Sequence, residues 1–276
     1  MIRYKLKGAG LGLRHELCHE LATHSPRPIN FLEIIPENWM QAGGSRAKYL
    51  HEFSDHYPLI AHGLSLSIGG PGPLNVEFLK ALRQFFSTHH IVHYSEHLSY
   101  SHDAQGRLYD LLPLPFTKEA VDYVSSRIRE VQEYLGLQIA MENPSYYCAP
   151  GQEMTEIEFI KAVLTEADCL MLLDVNNVYV NSVNHHYDPQ AFIQQIPRER
   201  IAYVHIGGHW QKNPNLLIDT HDAPVIEPVW ELLRFLYEHH GQQPTLLERD
   251  TAIPPLSDLL REIATIKTMQ QREVIR

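Results

Sequence analysis

Six short apolar runs in this chain each end in a residue able to ligate a metal. They are IAHG with His62, SEH with His97, MENP with Glu142, LLDVNN with Asp174, YVHIGGH with His205 and LLERD with Glu248. Imidazole and carboxylate with no thiolate suit iron, manganese or zinc, and disfavour copper(I) or an iron–sulfur cluster. The segment Asp219-Thr220-His221-Asp222 adds a second group: in an extended chain residues two apart face one side, so Asp219 and His221 would grip one ion and close over the site. Four histidines (His62, His97, His205, His221) and four acids (Glu142, Asp174, Asp219, Glu248) are too many for one ion. Two or three ions sharing carboxylates fit better. The alternative is a buried network of salt bridges and hydrogen bonds, but only Arg14 and Arg249 stand near these run ends to balance the acids.

Such residues meet only if the runs are neighbouring strands. Segments beginning at Gly8, Phe31, Pro58, His90, Leu137, Cys169, Ile201 and Pro244 are rich in Ile, Val, Leu and Tyr and bounded by Gly, Pro or Asn, as buried strands are. The sixth, CLMLLDVNNVYV, reads as one strand-like run. Between them, stretches from Glu77, Glu119 and Pro228 repeat apolar residues three or four apart, as helices do. Thr117 and Thr155 look like helix entries, the second with Glu158 completing a capping box; Gly136 and Gly241 fit helix exits, and a closing helix starts near Leu256. Eight strands in 276 residues leave about 34.5 residues per unit, the span of a βα unit with its loops. The pattern predicts an α/β fold, a (β/α)8 TIM barrel formed by residues 1–276 as one domain. A doubly wound open sheet is the runner-up, and GAGLG at Gly8 lacks the dinucleotide spacing it would need. A barrel puts its chemistry at the C-terminal strand ends, and the six ligand-bearing ends belong to six successive strands.

Composition narrows the rest. With 44% hydrophobic and 20% charged residues the chain is of ordinary globular kind. Its 23 basic against 33 acidic residues give a net charge of −10, which disfavours nucleic acid or an anionic membrane as partner. Three scattered cysteines (Cys18, Cys148, Cys169) make no disulfide framework or thiolate metal site. MIRYKLKGAGLGLRHEL has no apolar core of a secretion signal, and no apolar run approaches the roughly 20 residues of a membrane span. The expectation is a reduced, soluble, cytoplasmic protein. The 18 histidines are abundant, but His185-His186 and His239-His240 read as surface pairs.

GAGLGLR, FLEIIPENW, IAHGLSLSIGG, SEHLSY, MENPSYY, DVNNVYVN, YVHIGGH and DTHDAPV, in this order from about Gly8 to Asp250, resemble the multinuclear non-heme iron-dependent oxidative enzymes. The set is similar to the iron subunit that matures copper-chelating peptides such as methanobactin. That resemblance implies a xylose isomerase-like TIM barrel with two to three iron ions, zinc or manganese being possible in purified protein. It implies that His62 and His97 bind one ion with Glu142 bridging, that Asp174, His205 and Glu248 hold a second, and that Asn177, Asp219 and His221 hold a third, less occupied one. The implied reaction is O2-dependent oxidation of a ribosomally synthesised peptide, commonly at cysteine, with a small partner protein recruiting the substrate.

Other features stay open. The glycines between His205 and His209 would let His209 swing near the site, either as a residue that supports a ligand from behind or as an acid–base candidate. Glu33, Glu37 and Asn38 either orient ligands or form rim salt bridges. Ser67–Pro73 either admits a substrate backbone or is a turn, and Ser101–Phe116 either covers the mouth or is a solvated loop. Two other functions remain: a divalent-metal sugar isomerase or phosphoesterase on a related barrel, and a non-catalytic metal-binding protein.

Overall fold

Inward-facing side chains two residues apart organise this structure, a computed structural model describing residues 6–23, 28–103 and 105–273. Residues 1–5, part of the segment read above for a secretion signal, lie outside the described residues. Eight strands form a closed parallel barrel in chain order: β1 (Ala9–Gly12), β2 (Phe31–Ile34), β3 (Leu59–Gly63), β4 (His93–His97), β5 (Ala140–Glu142), β6 (Leu170–Asp174), β7 (Ile201–Ile206) and β8 (Thr245–Leu247), with β8 pairing back to β1. The predicted TIM barrel is the observed fold.

Phe31, Ile60, Ala140, Leu172, Tyr203 and Leu246 cluster as the apolar floor inside the barrel. Two residues further along the chain from each stand Glu33, His62, Glu142, Asp174, His205 and, just past the end of β8, Glu248. Side chains alternate along a strand with period two, so each floor residue stacks one polar residue above itself. Gly10 completes the floor, because a Cβ there would lie 2.3 Å from the Phe31 ring. A larger cluster, from Leu11 to Ile266, lies between barrel and helices.

Local signals act where the chain turns. Thr117 Oγ1 accepts from Ala120 N at 3.2 Å, Thr155 and Glu158 form the capping box, and Gly136 closes its helix at φ 69°. One strand reading needs correction. The run from Cys169 does not continue as strand: β6 stops at Asp174, whose carboxylate caps a helix, Val175–His185, by accepting from Asn177 N at 2.6 Å. β-branched residues favour strands, but that cap and the burial of Val175 and Val178 on one helical face outweigh the preference. The Ser101–Phe116 stretch is largely a hairpin, Tyr100–Asp103 with Gly106–Leu112, and a second hairpin joins His209–Asn213 to Leu216–Asp219. Among the described residues no helix is long and apolar enough to cross a membrane.

Candidate metal centre

Register brings the ligand-type residues into pairs. His97 stands beside Glu142 across β4 and β5, and Asp174 beside His205 across β6 and β7. The Nε2 atoms of His62 and His97 lie 2.9 and 3.2 Å from the same oxygen, Glu142 Oε2, and 3.1 Å from each other. His205 Nδ1 lies 2.9 Å from Glu248 Oε2 and 3.9 Å from Asp174 Oδ2. His221 Nε2 is 3.0 Å from Asp219 Oδ1 and 3.7 Å from Asp174 Oδ2, while its Nδ1 is 3.3 Å from both Glu248 Oε2 and Asp250 Oδ2. Three groups have ligand atoms within 4.8 Å of one another: His62, His97 and Glu142; Glu142, Asp174, His205 and Glu248; and His221, Glu248 and Asp250. Glu142 belongs to the first two and Glu248 to the last two.

Two observations show that these residues fit metal ions. Glu142 Oε2, Asp174 Oδ2, His205 Nδ1, His221 Nε2 and Glu248 Oε2 are buried with no hydrogen-bond partner, although they crowd together. Buried polar atoms are normally paired, so five unpaired ones facing a common centre call for a cation. Each histidine's other nitrogen is anchored, His62 Nδ1 on Ser95 Oγ (2.7 Å), His97 Nδ1 on the Gly63 carbonyl (3.1 Å), His205 Nε2 on Glu33 Oε2 (3.0 Å) and His221 Nδ1 on Asp250 Oδ2. Ligating imidazoles are held in this way, one nitrogen on the metal and the other donating to a fixed acceptor.

The electrostatics agree. Burial pushes Asp174 up to about 8 against the pull of His221, with Glu142 and Asp219 adding to the rise. Burial likewise takes Asp219 to about 6. Burial opposes the charge on Glu142, but His97 and His62 outweigh it and hold that carboxyl at about 2. His97 rises to about 9 despite burial, because Glu142 and Glu96 face it. The nearby guanidinium is Arg14, 2.5 Å from Asp250 and 3.8 Å from Glu248; Arg249 turns away to Glu262. A crowd of acids with so little cationic cover is able to bind metal ions.

The third grouping expected from sequence is not assembled as written. Asn177 lies beside Glu142 instead, its Nδ2 3.3 Å from Oε1, and its own oxygen accepts from Ser145. Asp219 does reach His221, but not along an extended chain: His221 has left-handed backbone, φ 46°, held by Asp250 N donating to its carbonyl. His209 does not swing toward the centre. It is buried against Asn176 Oδ1 (2.8 Å), and Asn176 Nδ2 in turn donates to Asp219 (3.0 Å). The adjoining glycines provide close packing, since a Cβ on Gly207 would lie 2.5 Å from the His221 ring and one on Gly208 2.1 Å from the Ala223 carbonyl. Gly207→Ala is therefore expected to displace His221 and lose about one metal ion per chain while sparing the other positions. Elemental analysis showing a full complement would mean that His221 is dispensable.

Several contributors escaped the sequence reading. Asp250 joins His221 and Glu248, and Asn176 links His209 to Asp219. Asn181 donates to both Glu156 (3.1 Å) and the Pro144 carbonyl (3.2 Å), fixing the loop whose Ser145 and Tyr147 face the cleft. Burial raises that Glu156 carboxyl to about 7. Polarity alone gave no reason to single these residues out. Nor are the histidine pairs simply superficial: His240 is buried on the Ile193 carbonyl, and His185 stacks on Tyr146 at 3.9 Å. Glu37 accepts from Leu64 N, and it lines the cleft with Asn38.

Above the centre opens a cleft of about 840 Å³, lined by Arg14, His15, Trp39 and Arg46 from the segments after β1 and β2, by Asp110 and Leu111 of the hairpin, and by Tyr147.

The fold is a TIM barrel of the xylose isomerase-like kind, and its rim gathers residues able to bind metal ions. The 3-keto-D-glucoside 4-epimerase YcjR from E. coli superposes with a TM-score of 0.63 at 12% identity, covering 95% of this chain and 99% of its own. Endonuclease IV from Thermus thermophilus superposes at 0.60 and 12% identity, covering 96% and 99%. The chain belongs to the family of RiPP precursor modification enzymes MbnB/TglH/ChrH, which matches residues 8–271. It is 53% identical over 261 residues to a UPF0276 protein of Shewanella sediminis, covering 95% of this chain and 94% of the relative. It is 54% identical over 267 residues to one from Nitrosospira multiformis, covering 96% and 94%.

Proposed function

We propose that the rim holds two to three iron ions and that the protein uses them, with O2, to modify a ribosomally synthesised peptide oxidatively at cysteine. The observation that carries this reading is the set of five buried, unpartnered ligand atoms around anchored histidines, on a chain of the peptide-modifying family. His62, His97 and Glu142 would hold one ion, and Asp174, His205 and Glu248 a second, with Glu142 shared. Asp219 and His221, beside Asp250 and with Asn177 nearby, would serve a third. Bound iron supplies one-electron chemistry and O2 activation. Asp174 and His205 are wholly buried, whereas His62, His97, Glu142 and His221 line the cleft, so bound ions would be reached from that side. The chain presents above them a cleft of a size that takes a short stretch of extended peptide. A small partner protein would deliver that peptide, in the cytoplasm, where its thiol stays reduced.

Protein produced with iron should show ferric absorption and two to three irons per chain, and should consume O2 with a cysteine-containing peptide encoded beside its gene. Stoichiometric zinc, with no loss of activity when it replaces iron, would sink the oxidative reading in favour of a hydrolase or isomerase. Tight metal with no turnover of such peptides would favour storage.

A further inference from the structure

Beneath the rim lies a run of polar groups outside the ligand groups. Glu33 is the last residue but one of β2, Ser95 precedes His97 by two residues on β4, and Tyr203 precedes His205 by two on β7; each is at most 1% exposed. Tyr203 Oη lies 2.8 Å from Glu33 Oε2 and 2.6 Å from Ser95 Oγ. Ser95 Oγ lies 2.7 Å from His62 Nδ1, and Glu33 Oε2 lies 3.0 Å from His205 Nε2. The contacts form one unbroken chain, His62–Ser95–Tyr203–Glu33–His205, joining a ligand of the first metal position to a ligand of the second.

Donor counting gives the chain a direction. With an ion held at His62 Nε2 and His205 Nδ1, the nitrogens that face Glu142 and Glu248, the lone pairs there would be taken by the metal and the other nitrogens would carry the hydrogens. Ser95 accepts from His62 and donates to Tyr203; the Ala61 carbonyl, at 3.4 Å, is its weaker alternative. Tyr203 then donates to Glu33, whose Oε2 also accepts from His205. Every hydroxyl accepts once and donates once, and all the hydrogens point toward one carboxylate.

We propose that Ser95, Tyr203 and Glu33 are positioning residues that bridge the two metal positions, and that the uncoordinated Glu33 carboxylate sets the electron density at the centre, most strongly through His205. This rests on the multi-iron reading above. An imidazole backed by an anion is the stronger donor, so the position His205 serves favours the higher oxidation state. The position His62 serves, backed by a neutral hydroxyl, favours the lower.

The test compares iron content and one-electron potential in wild type, Glu33→Gln and Tyr203→Phe. Both variants should keep their iron. Glu33→Gln should raise the potential, changing the oxidised-to-reduced ratio at fixed potential by at least about tenfold, or about 59 mV. Tyr203→Phe should lower it, because Glu33 then leans wholly on His205. Opposite signs are the signature, since loosened packing gives no reason for them. Unchanged potentials, or shifts of one sign with iron retained, overturn the proposal. Nitrogen-15 imidazole spectra of zinc-loaded wild type decide the case should the variants lose iron or misfold: hydrogens on His62 Nδ1 and His205 Nε2 support it, and the reverse tautomers overturn it. The zinc spectrum also separates this proposal from the functional reading, which fails by itself if the protein takes up no redox-active iron.

Discussion

Glu142→Ala protein should lose about one of its two to three irons per chain, and with it peptide-dependent O2 consumption. Glu142 Oε2 is the atom that His62 Nε2 and His97 Nε2 both approach, at 2.9 and 3.2 Å, and the residue belongs to two of the three ligand groups. Without it the first position keeps only two neutral imidazoles, while the second still has Asp174, His205 and Glu248. Loss of an outer hydrogen-bond partner of a metal ligand costs about 10–100-fold in affinity or activity, so loss of a shared ligand sets a floor of about a hundredfold. Asn177→Ala is the internal control, because Asn177 Nδ2 merely reaches the other oxygen of Glu142 at 3.3 Å and should cost far less. Elemental analysis beside circular dichroism separates metal loss from unfolding. A folded Glu142→Ala protein with a full iron complement would remove the shared-ligand assignment.

Stripping the metal should lower the melting temperature, and by more at pH 8 than at pH 6. Each ion held at about a thousand times its dissociation constant adds about 4 kcal/mol to the folded state. At about 2–4 °C per kcal/mol for a large domain, two ions amount to about 15 °C or more. The pH dependence comes from the protons the metal displaces. In metal-free protein His97 stands at about 9, Asp174 at about 8 and Asp219 at about 6, each above its ordinary value of 6.5 or 3.8. The folded state therefore binds these protons more tightly than the unfolded chain, and the stability they contribute is lost as pH rises through those values. Glu142, held at about 2, works in the opposite sense, but its contribution is lost only in acid, below its ordinary 4.5. From about pH 5 to 9 the metal-free protein should thus weaken, while metal binding, which releases the same protons, tightens. Calorimetry with and without chelator checks this. A gap that narrows toward pH 8 would contradict it.

Much of the centre was visible in sequence because a barrel strand can be recognised by its apolar run, and the run's end is the chemical end. His62, His97, Glu142, Asp174, His205 and Glu248 were all singled out in that way, and the structure brings their ligand-type atoms together. The extent of β6 was misread where local preference and tertiary context disagree: VNNVYV has strand-forming residues, but Asp174 starts a helix there. Asp250 was passed over because it follows Arg249 in a segment without period, and its meeting with His221 depends on that residue's left-handed backbone. Ser95 and Tyr203 did leave a trace, each standing two residues before a ligand-type histidine and so sharing its face. Their types alone, a serine and a tyrosine in apolar strands, suggested packing.

By itself the sequence determined the eight barrel strands and several of the helices between them, which strand ends carry ligand-type side chains, and that too few cations accompany them to balance the acids. Those properties are local, written in periodicity, caps and residue type. Tertiary structure decided the partners. Glu33 meets His205 across 172 positions of chain, and Tyr203 meets Ser95 across 108. Such contacts cross the inside of the barrel, where curvature and closure set the neighbours; the alternation along a strand says which side a residue faces but not what it meets.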